Sequence, residues 1–407
     1  MDNTGEKIHD HRIQRWFRRF VRSRMAKALV LGAVLKGMIF WSLYLYITSF
    51  HRLKSILDIK EAMNIMRMPI SKDLDRCRDV NATHMKCLPN VFFIGASKCG
   101  TTSIIEYLQK QERVKLVSRR LTPTDRHREI HRFDRNTYDW AIPWLELGDE
   151  WASSPSIPQN DPGYSVVHYT PHYLYAPSVP FDMKKLYPHS DDASQMKFIV
   201  VLRDPVARAL SSYWFSQSHL FEDRRKKGEK KGNIGSIGEF QTLATQEMES
   251  RSEYDACMRE STTGDLQAKL KHCFGEGYRS PSLGGRHVDK GVYYDQLVRW
   301  FEVFEPSSFF ITSLESISQD PAKVMKEMLH FIGADKDKDG NEVKIVAYGD
   351  EGVSKKALVH PNDIADSQPL PSAFHERLTS FYQPYMRKLH TLLAAKFAPS
   401  QKPDFIL

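Results

Sequence analysis

Residues 90–103 read Asn90-Val91-Phe92-Phe93-Ile94-Gly95-Ala96-Ser97-Lys98-Cys99-Gly100-Thr101-Thr102-Ser103, and this run decides the fold. The unbroken apolar stretch before Gly95 predicts a strand buried on both faces. After Ser103 the apolar positions Ile104, Ile105, Tyr107 and Leu108 fall on one side of an amphipathic helix. Strand, glycine loop and helix together aim backbone N–H groups at one spot, which suits a phosphate-like anion. Gly95 and Gly100 let the backbone turn and approach a ligand. Lys98 adds a full positive charge, and Thr101 and Thr102 add hydroxyl donors. A nucleotide-triphosphate loop would carry its lysine just after the second glycine. Here Thr101 stands there and the lysine comes two residues earlier. No acidic strand end offers to hold magnesium, so the loop is expected to take an anion that needs no metal.

A second run of the same kind lies downstream. Met196-Lys197-Phe198-Ile199-Val200-Val201-Leu202 predicts another buried strand, and it leads into Arg203-Asp204-Pro205-Val206-Ala207-Arg208-Ala209-Leu210-Ser211-Ser212-Tyr213. Pro205 is suited to open a helix and Asp204 to cap it. Arg203 then sits at the end of the strand, with Ser211 two turns into the helix. Ligands of parallel sheets bind outside those strand ends. An arginine and a hydroxyl there suit a second phosphate. The implied fold is α/β, a P-loop-like parallel sheet of about five strands with helices on both faces.

The two anion runs resemble those of sulfotransferases. The K-x-G-T-T order resembles the 5′-phosphosulfate loop of that family, and L-R-D-P-x-x-R-x-x-S-x-Y resembles the 3′-phosphate motif of the Golgi carbohydrate sulfotransferases. Arg128-Glu129-Ile130-His131-Arg132-Phe133-Asp134 resembles the K-E-x-H-x-F-D segment of the heparan sulfate group. Lys290-Gly291-Val292-Tyr293-Tyr294, followed by Leu297, Trp300 and Phe301, resembles its G-x-Y helix, and Glu315 and Asp320-Pro321 fit as well. The K-C-G-T-T spelling and the positions of Cys257 and Cys273 resemble the N-acetylgalactosamine 4-sulfate 6-O-sulfotransferase branch, which implies a disulfide between those two cysteines.

The resemblance implies transfer of a sulfuryl group from 3′-phosphoadenosine 5′-phosphosulfate to a hydroxyl, or an amine, of a glycosaminoglycan-like carbohydrate. It implies a donor site of Lys98, Cys99, Gly100, Thr101, Thr102, Ser103, Arg203 and Ser211. Lys98 is expected to stabilise the leaving phosphate. Glu129 is expected to act as general base, with His131 as its rival for that role. Two departures bear on the acceptor. Tyr169 precedes Thr170-Pro171-His172-Tyr173 where several heparan-type members carry lysine. The C-terminal cysteine-flanked loop is missing, and Lys355 and Lys356 are expected to take over its nucleotide-covering role.

The rest of the sequence concerns location. With 41% apolar and 11% aromatic residues the chain is globular rather than disordered. Its formal charge of +8 suits an anionic ligand or a membrane surface and decides neither. No nucleic-acid partner is expected. Residues 28–50 carry only Lys36 as a charge and reach about 34 Å as a helix, enough to cross a bilayer. Arg12, Arg15, Arg18, Arg19, Arg22, Arg24 and Lys27 precede that stretch, which keeps residues 1–27 cytoplasmic as a basic tail. The expectation is a single-pass type II Golgi protein with a signal-anchor at 28–50. A stem over 51–88 then leads to a lumenal catalytic domain over 89–400. Asn81-Ala82-Thr83 is a glycosylation sequon. The five cysteines, Cys77, Cys87, Cys99, Cys257 and Cys273, form no C-x-x-C pair of a zinc site. They allow two disulfides and one thiol, or five unlinked thiols. The segment 216–290, with Arg224-Arg225-Lys226-Lys227 and Lys230-Lys231, reads as a solvated loop or as a docking strip for a polyanionic glycan. The competing readings are a membrane-anchored kinase, a Golgi glycosyltransferase using the D-x-D letters of Asp335-Lys336-Asp337 or Asp337-Lys338-Asp339, and a non-catalytic glycan-binding module.

Overall fold

The computed structural model of the chain describes residues 76–117, 129–134, 153–161, 163–187, 196–226, 235–262, 264–278, 286–347 and 369–397. The chain divides into a unit Met1–Lys60 and a unit Glu61–Leu407, and all described residues belong to the second. The stretch 28–50, the basic tail before it, Lys355 and Lys356 lie outside them. Among the described residues no helix is long and apolar enough to cross a membrane.

Five parallel strands form the central sheet: β3 (Val91–Gly95), β4 (Val114–Leu116), β6 (Ser165–Tyr169), β7 (Lys197–Leu202) and β8 (Phe309–Ser313), in the order β4-β6-β3-β7-β8. Every residue of β3 and β6 is buried, as is all of β7 after Lys197. These are the continuous apolar runs that a sheet covered on both faces requires. From β3 the chain goes out through α1 (Thr101–Gln109) to β4, returns to β6, passes α2 (Val179–Leu186) and then enters β7 on the other side of β3. Connections therefore leave β3 and β7 in opposite directions, and a crevice opens between their C-terminal ends. Open α/β sheets bind ligands at that point.

Aromatic packing holds the β7–β8 half. The ring of Phe198 stacks on Phe309 at 4.8 Å, meets Phe304 at 4.7 Å and takes the edge of Trp300 at 5.2 Å. Trp300 comes from α6 (Tyr293–Phe301), whose buried face also carries Tyr293 and Leu297. Helix α9 (Ser372–Lys396) packs on α6. Its Tyr382 hydroxyl donates to the carbonyl of Val288 at 2.7 Å, and a Cβ at Gly291 would lie 2.8 Å from that hydroxyl oxygen. The glycine of the Lys290-Gly291 step is thus fixed by a helix that begins about eighty residues later in the sequence.

Two expectations are corrected. Residues 76–88, read as the end of a stem, belong to the folded unit. β1 (Cys77–Asp79) and β2 (His84–Cys87) form a hairpin, and β5 (Ser156–Pro158) adds to it as an antiparallel third strand. Cys77 pairs directly with Cys87 and is bonded to it. The hairpin has its own apolar cluster of Met85, Ile130, Ile157 and Val166, which a stem without a partner layer would leave in water. The segment after Ser216 is largely helical rather than a loop. Helix α3 (Pro205–Lys226) runs on through it, followed by α4 (Ile237–Glu260) and α5 (Leu266–Phe274). Cys257 and Cys273 join α4 to α5, and Cys99 is the free thiol. Arg251 of α4 binds Asp255 within that helix and reaches Asp289 and Asp295, which ties the insert to the turn before α6 and to α6 itself. Charge neutralisation among these side chains gives the segment a fixed seat that its polar composition hid.

Candidate active site

Three loops meet at the C-terminal edge of the sheet. The first connects β3 to α1. It starts at Gly95, where a Cβ would lie 2.6 Å from Leu174 Cβ and 2.8 Å from the carbonyl oxygen of Pro171, so only glycine fits. Lys98 and Gly100 both take left-handed backbone, with φ of 71° and 74°. A non-glycine residue held there costs about 1–3 kcal/mol, and such residues gather at functional sites. Gly100 begins α1 without a side-chain cap, so no side chain competes for the N–H groups of the first turn. Thr101 and Ser103 are buried, while Thr102 is exposed. Cys99 is fully buried, its thiol pushed up to about 11 by that burial, and it lies 3.8 Å from the Tyr293 hydroxyl. It shapes the loop from beneath and is not a thiolate nucleophile.

The second loop leaves β7. Asp204 caps α3 as expected, its Oδ1 accepting from the Ala207 N–H at 2.6 Å. Glu315 receives the Asp204 N–H at 3.1 Å, and the Tyr293 hydroxyl donates to the Arg203 carbonyl at 2.9 Å. Arg203 Nη1 donates to the Lys98 carbonyl at 3.4 Å. The two anion loops are therefore neighbours, with Ser211 half-buried on the helix that follows the second.

The third loop is Glu129–Asp134. Its backbone is hung on side chains of the turn after β6. Thr170 Oγ1 accepts the N–H of Ile130 at 3.2 Å and of His131 at 3.1 Å. The Tyr173 hydroxyl accepts the N–H of Arg132 at 2.8 Å and of Phe133 at 3.2 Å. His131, at φ 51°, turns its ring between two carboxylates: Nε2 lies 2.8 Å from Glu129 and Nδ1 lies 2.9 Å from Asp134.

Electrostatics bind the loops into one site. Burial pushes the Lys98 ammonium down to about 8; Glu129 pulls it upward, and Arg203 and Arg208 push it further down. The ammonium rests 3.7 Å from the centroid of the Phe215 ring, one turn beyond Ser211 on α3. Arg208 is fully buried; it donates to the His287 carbonyl, and its Nε and Nη1 have no partner. The cations Lys98, Arg203 and Arg208 thus face one another, with Glu129 the counter-charge acting on Lys98, a field that an anion would relieve. Burial works against a charged His131, but the hydrogen bonds of Asp134 and Glu129 outweigh it and raise the imidazole to about 9. Asp134 is held well below the usual carboxylate range: its burial is overcome by bonds from His131 and His172.

Of the residues singled out in the sequence, Lys98, Cys99, Gly100, Thr101, Thr102, Ser103, Arg203, Ser211, Glu129 and His131 gather at this edge of the sheet. Asn81 is distant in role: exposed in the β1–β2 turn, its Oδ1 accepts the N–H of Thr83 and of His84 and the Thr83 hydroxyl, each at 2.9 Å. Asp337 of the D-x-D letters uses its carboxylate on the N–H groups of Asp339 and Asn341, at 2.9 and 2.8 Å. Sequence reading missed Asp134, Thr170, His172 and Tyr173 as site residues. Asp134 closes the R-E-I-H-R-F-D run three residues after His131, a spacing that was the available signal. The roles of Thr170 and Tyr173 depend on a contact some forty residues away, which no local pattern reveals.

Comparisons with known proteins place the chain among sulfotransferases. The chain is 24% identical over 358 residues to the membrane-associated sulfotransferase kil1 of Dictyostelium discoideum, covering 76% of this chain and 66% of that protein. It is 23% identical over 316 residues to mouse heparan sulfate glucosamine 3-O-sulfotransferase 6, covering 76% of this chain and 73% of the relative. Among solved structures, a sulfotransferase from Alicyclobacillus acidocaldarius aligns over 77% of this chain and 98% of its own, with 19% identity and a TM-score of 0.44. The sulfotransferase domain family matches residues 88–348, from just before β3 to beyond α8 (Pro321–Ile332) and across all three loops of the site. The chain belongs to the sulfotransferase domain family.

Proposed function

We propose that the chain transfers a sulfuryl group from 3′-phosphoadenosine 5′-phosphosulfate to a hydroxyl of a glycosaminoglycan-like carbohydrate, in the Golgi lumen, held to the membrane by residues 28–50. The observation that carries this reading is the junction of the two cationic loops at Lys98 and Arg203, with Glu129 close enough to act on Lys98. In the proposed step the acceptor oxygen attacks sulfur in line with the departing phosphate oxygen. A new O–S bond forms as the old one breaks, the acceptor proton passes to the Glu129 carboxylate, and the electron pair leaves on the 5′-phosphate. Lys98 and the N–H groups at the start of α1 receive that growing charge. Arg203 and Ser211 hold the 3′-phosphate, and Lys355 and Lys356 cover the nucleotide. Charge compensation is assigned to these groups, with no metal in the step.

His131, flanked by carboxylates at both nitrogens, is an imidazolium in the resting site and has no lone pair to accept a proton. That favours Glu129 over His131 as base. Relatives named for heparan sulfate support a carbohydrate acceptor. Tyr169 donates to Thr101 at 3.2 Å, in the place where several heparan-type members carry lysine, so the acceptor subsite is expected to differ there. An exposed sequon at Asn81 and two disulfides suit a lumenal domain.

The test is calorimetric titration of the detergent-solubilised full chain with adenosine 3′,5′-bisphosphate in EDTA, followed by transfer of labelled sulfate from the donor onto desulfated heparin. Tight binding that is lost in Lys98→Ala and Arg203→Ala supports the donor site. Absence of binding by the folded chain removes it.

A further inference from the structure

The base loop leans on a second imidazole. Asp134 is buried, and its Oδ2 meets two ring nitrogens, His131 Nδ1 and His172 Nδ1, each at 2.9 Å. Its Oδ1 has no hydrogen-bond partner, so both bonds fall on one oxygen. His131 Nε2 continues to Glu129 at 2.8 Å. His172, Asp134, His131 and Glu129 thus form one unbroken line.

Proton counting fixes the states along that line. His131 faces a carboxylate at each nitrogen and needs a proton on both. His172 faces a carboxylate only at Nδ1, and its Nε2 is buried without a partner. A proton on Nε2 would be a stranded donor, with no acceptor in reach and next to Lys290, whose ammonium burial pushes down to about 7. His172 is therefore neutral and carries its proton on Nδ1, where it donates to Asp134. Burial, first, and then Lys290 hold it in that form against the pull of Asp134. The charged and titratable groups facing the pair are Glu129 and Asp134 on the base loop, Lys98 acting on Glu129 from the donor loop, and Lys290 from the turn before α6.

We propose that His172 is a positioning residue for the base: by donating to Asp134 it weakens that carboxylate's hold on His131, which leaves the imidazolium shared with Glu129. Without His172, Asp134 has His131 as its one partner and pulls the imidazolium toward itself. Glu129 then loses the contact that aims it. The inference rests on the assignment of Glu129 as base.

The experiment follows the histidine ring nitrogens by NMR in the full chain labelled with 15N-histidine. In the wild type, His172 is expected to stay neutral with its proton on Nδ1 from pH 6 to 8, while His131 titrates at alkaline pH. His172→Phe is expected to raise the His131 titration by about one unit, a tenfold gain in proton affinity. It is expected to lower kcat about tenfold with the donor KM unchanged. His172→Asn is expected to restore both, because its amide N–H takes the place of Nδ1–H. A wild-type spectrum with the His172 proton on Nε2 overturns the proposal, and that reading needs no variant to fold. So does a His131 titration that does not move in His172→Phe. If the titration moves as expected while Glu129→Gln still transfers sulfuryl at the wild-type rate, the base assignment has failed and the positioning role with it, whereas the coupling itself stands.

Discussion

The donor loop and the base loop each hold one non-glycine residue in left-handed backbone, Lys98 at φ 71° and His131 at φ 51°, yet they are supported in opposite ways. The donor loop hangs from the sheet. β3 delivers it, the Ala96 N–H donates to the Val201 carbonyl at 2.8 Å, and α1 takes over at Gly100. The base loop has no strand or helix of its own. Apart from a bond from the Ile130 N–H to the Tyr169 carbonyl of β6, its N–H groups are received by a threonine and a tyrosine hydroxyl from the turn after β6. A loop held by backbone geometry binds a constant ligand. One held by side chains can be re-aimed by changing a few residues, which suits the half of the reaction that must match an acceptor.

The comparison breaks hardest at Glu129. Glu129→Gln keeps the size and one hydrogen-bond acceptor but removes the base. A fall in kcat of about 10²–10⁴ is expected, with adenosine 3′,5′-bisphosphate binding unchanged by calorimetry. The converse belongs to the donor loop. Lys98→Ala and Arg203→Ala are each expected to weaken that binding about a hundredfold, the range of a charge-assisted hydrogen bond in a partly buried site. Affinity should also depend on pH. Lys98 titrates at about 8 in the free protein, and the ligand's phosphate favours its charged form. Binding is therefore expected to be full below pH 8 and to decline, by up to about tenfold per unit, as pH rises above it. A flat profile between pH 7 and 9 would detach Lys98 from the phosphate.

How much of this was legible follows the same division. The strands before Gly95 and Arg203 are continuous apolar runs, and each is followed at once by the residues it positions. The fold and the meeting of the Lys98 and Arg203 loops could be read because cause and effect are adjacent in sequence. The Glu129 loop could be found only through its resemblance to known sulfotransferases. Its supports, Thr170 and Tyr173, lie forty residues away and look like ordinary turn residues. The hairpin of Cys77 and Cys87 was read as stem for a related reason: β1 and β2 span three and four residues, and their third strand comes from residues 156–158. The insert reads from sequence as a solvated loop or a docking strip because its polar helices carry little amphipathic signal and are held by Arg251, Glu247 and a disulfide instead.

Thr170→Val sharpens the division from the side of the base loop. The substitution keeps the shape and leaves the His131 N–H without its acceptor, while the Ile130 N–H keeps its bond to the Tyr169 carbonyl at 3.2 Å. A loss of about 1–3 kcal/mol in the loop's local stability is expected, read as a lower kcat with donor affinity intact. The His131 imidazolium adds a pH limit to the same loop. Its titration is raised to about 9 from an unfolded value near 6.5, so the stability it contributes is complete below pH 6.5 and is lost as pH rises through 9. Activity is expected to fall on that alkaline side, after donor binding has begun to weaken.

The smallest effect is expected where the two loops touch. Tyr169 ends β6, packs its ring on Phe93 of β3 at 5.5 Å and donates its hydroxyl to Thr101 in the donor loop. The next residue, Thr170, carries the base loop. Tyr169→Phe keeps the ring and removes one neutral hydrogen bond, worth about 1 kcal/mol, so a two- to fivefold weakening of donor binding is expected with kcat unchanged. Tyr169→Lys is a different experiment, because it puts a cation against the donor loop at Thr101, where several heparan-type members carry lysine. If a shared frame sets donor binding and local side chains set acceptor choice, this variant should move the acceptor KM on sulfated and desulfated heparin in opposite directions and weaken donor binding no more than Tyr169→Phe does. Equal changes for donor and acceptor would mean that the two loops are one mechanical unit, and that the side-chain supports of the base loop position the donor as well.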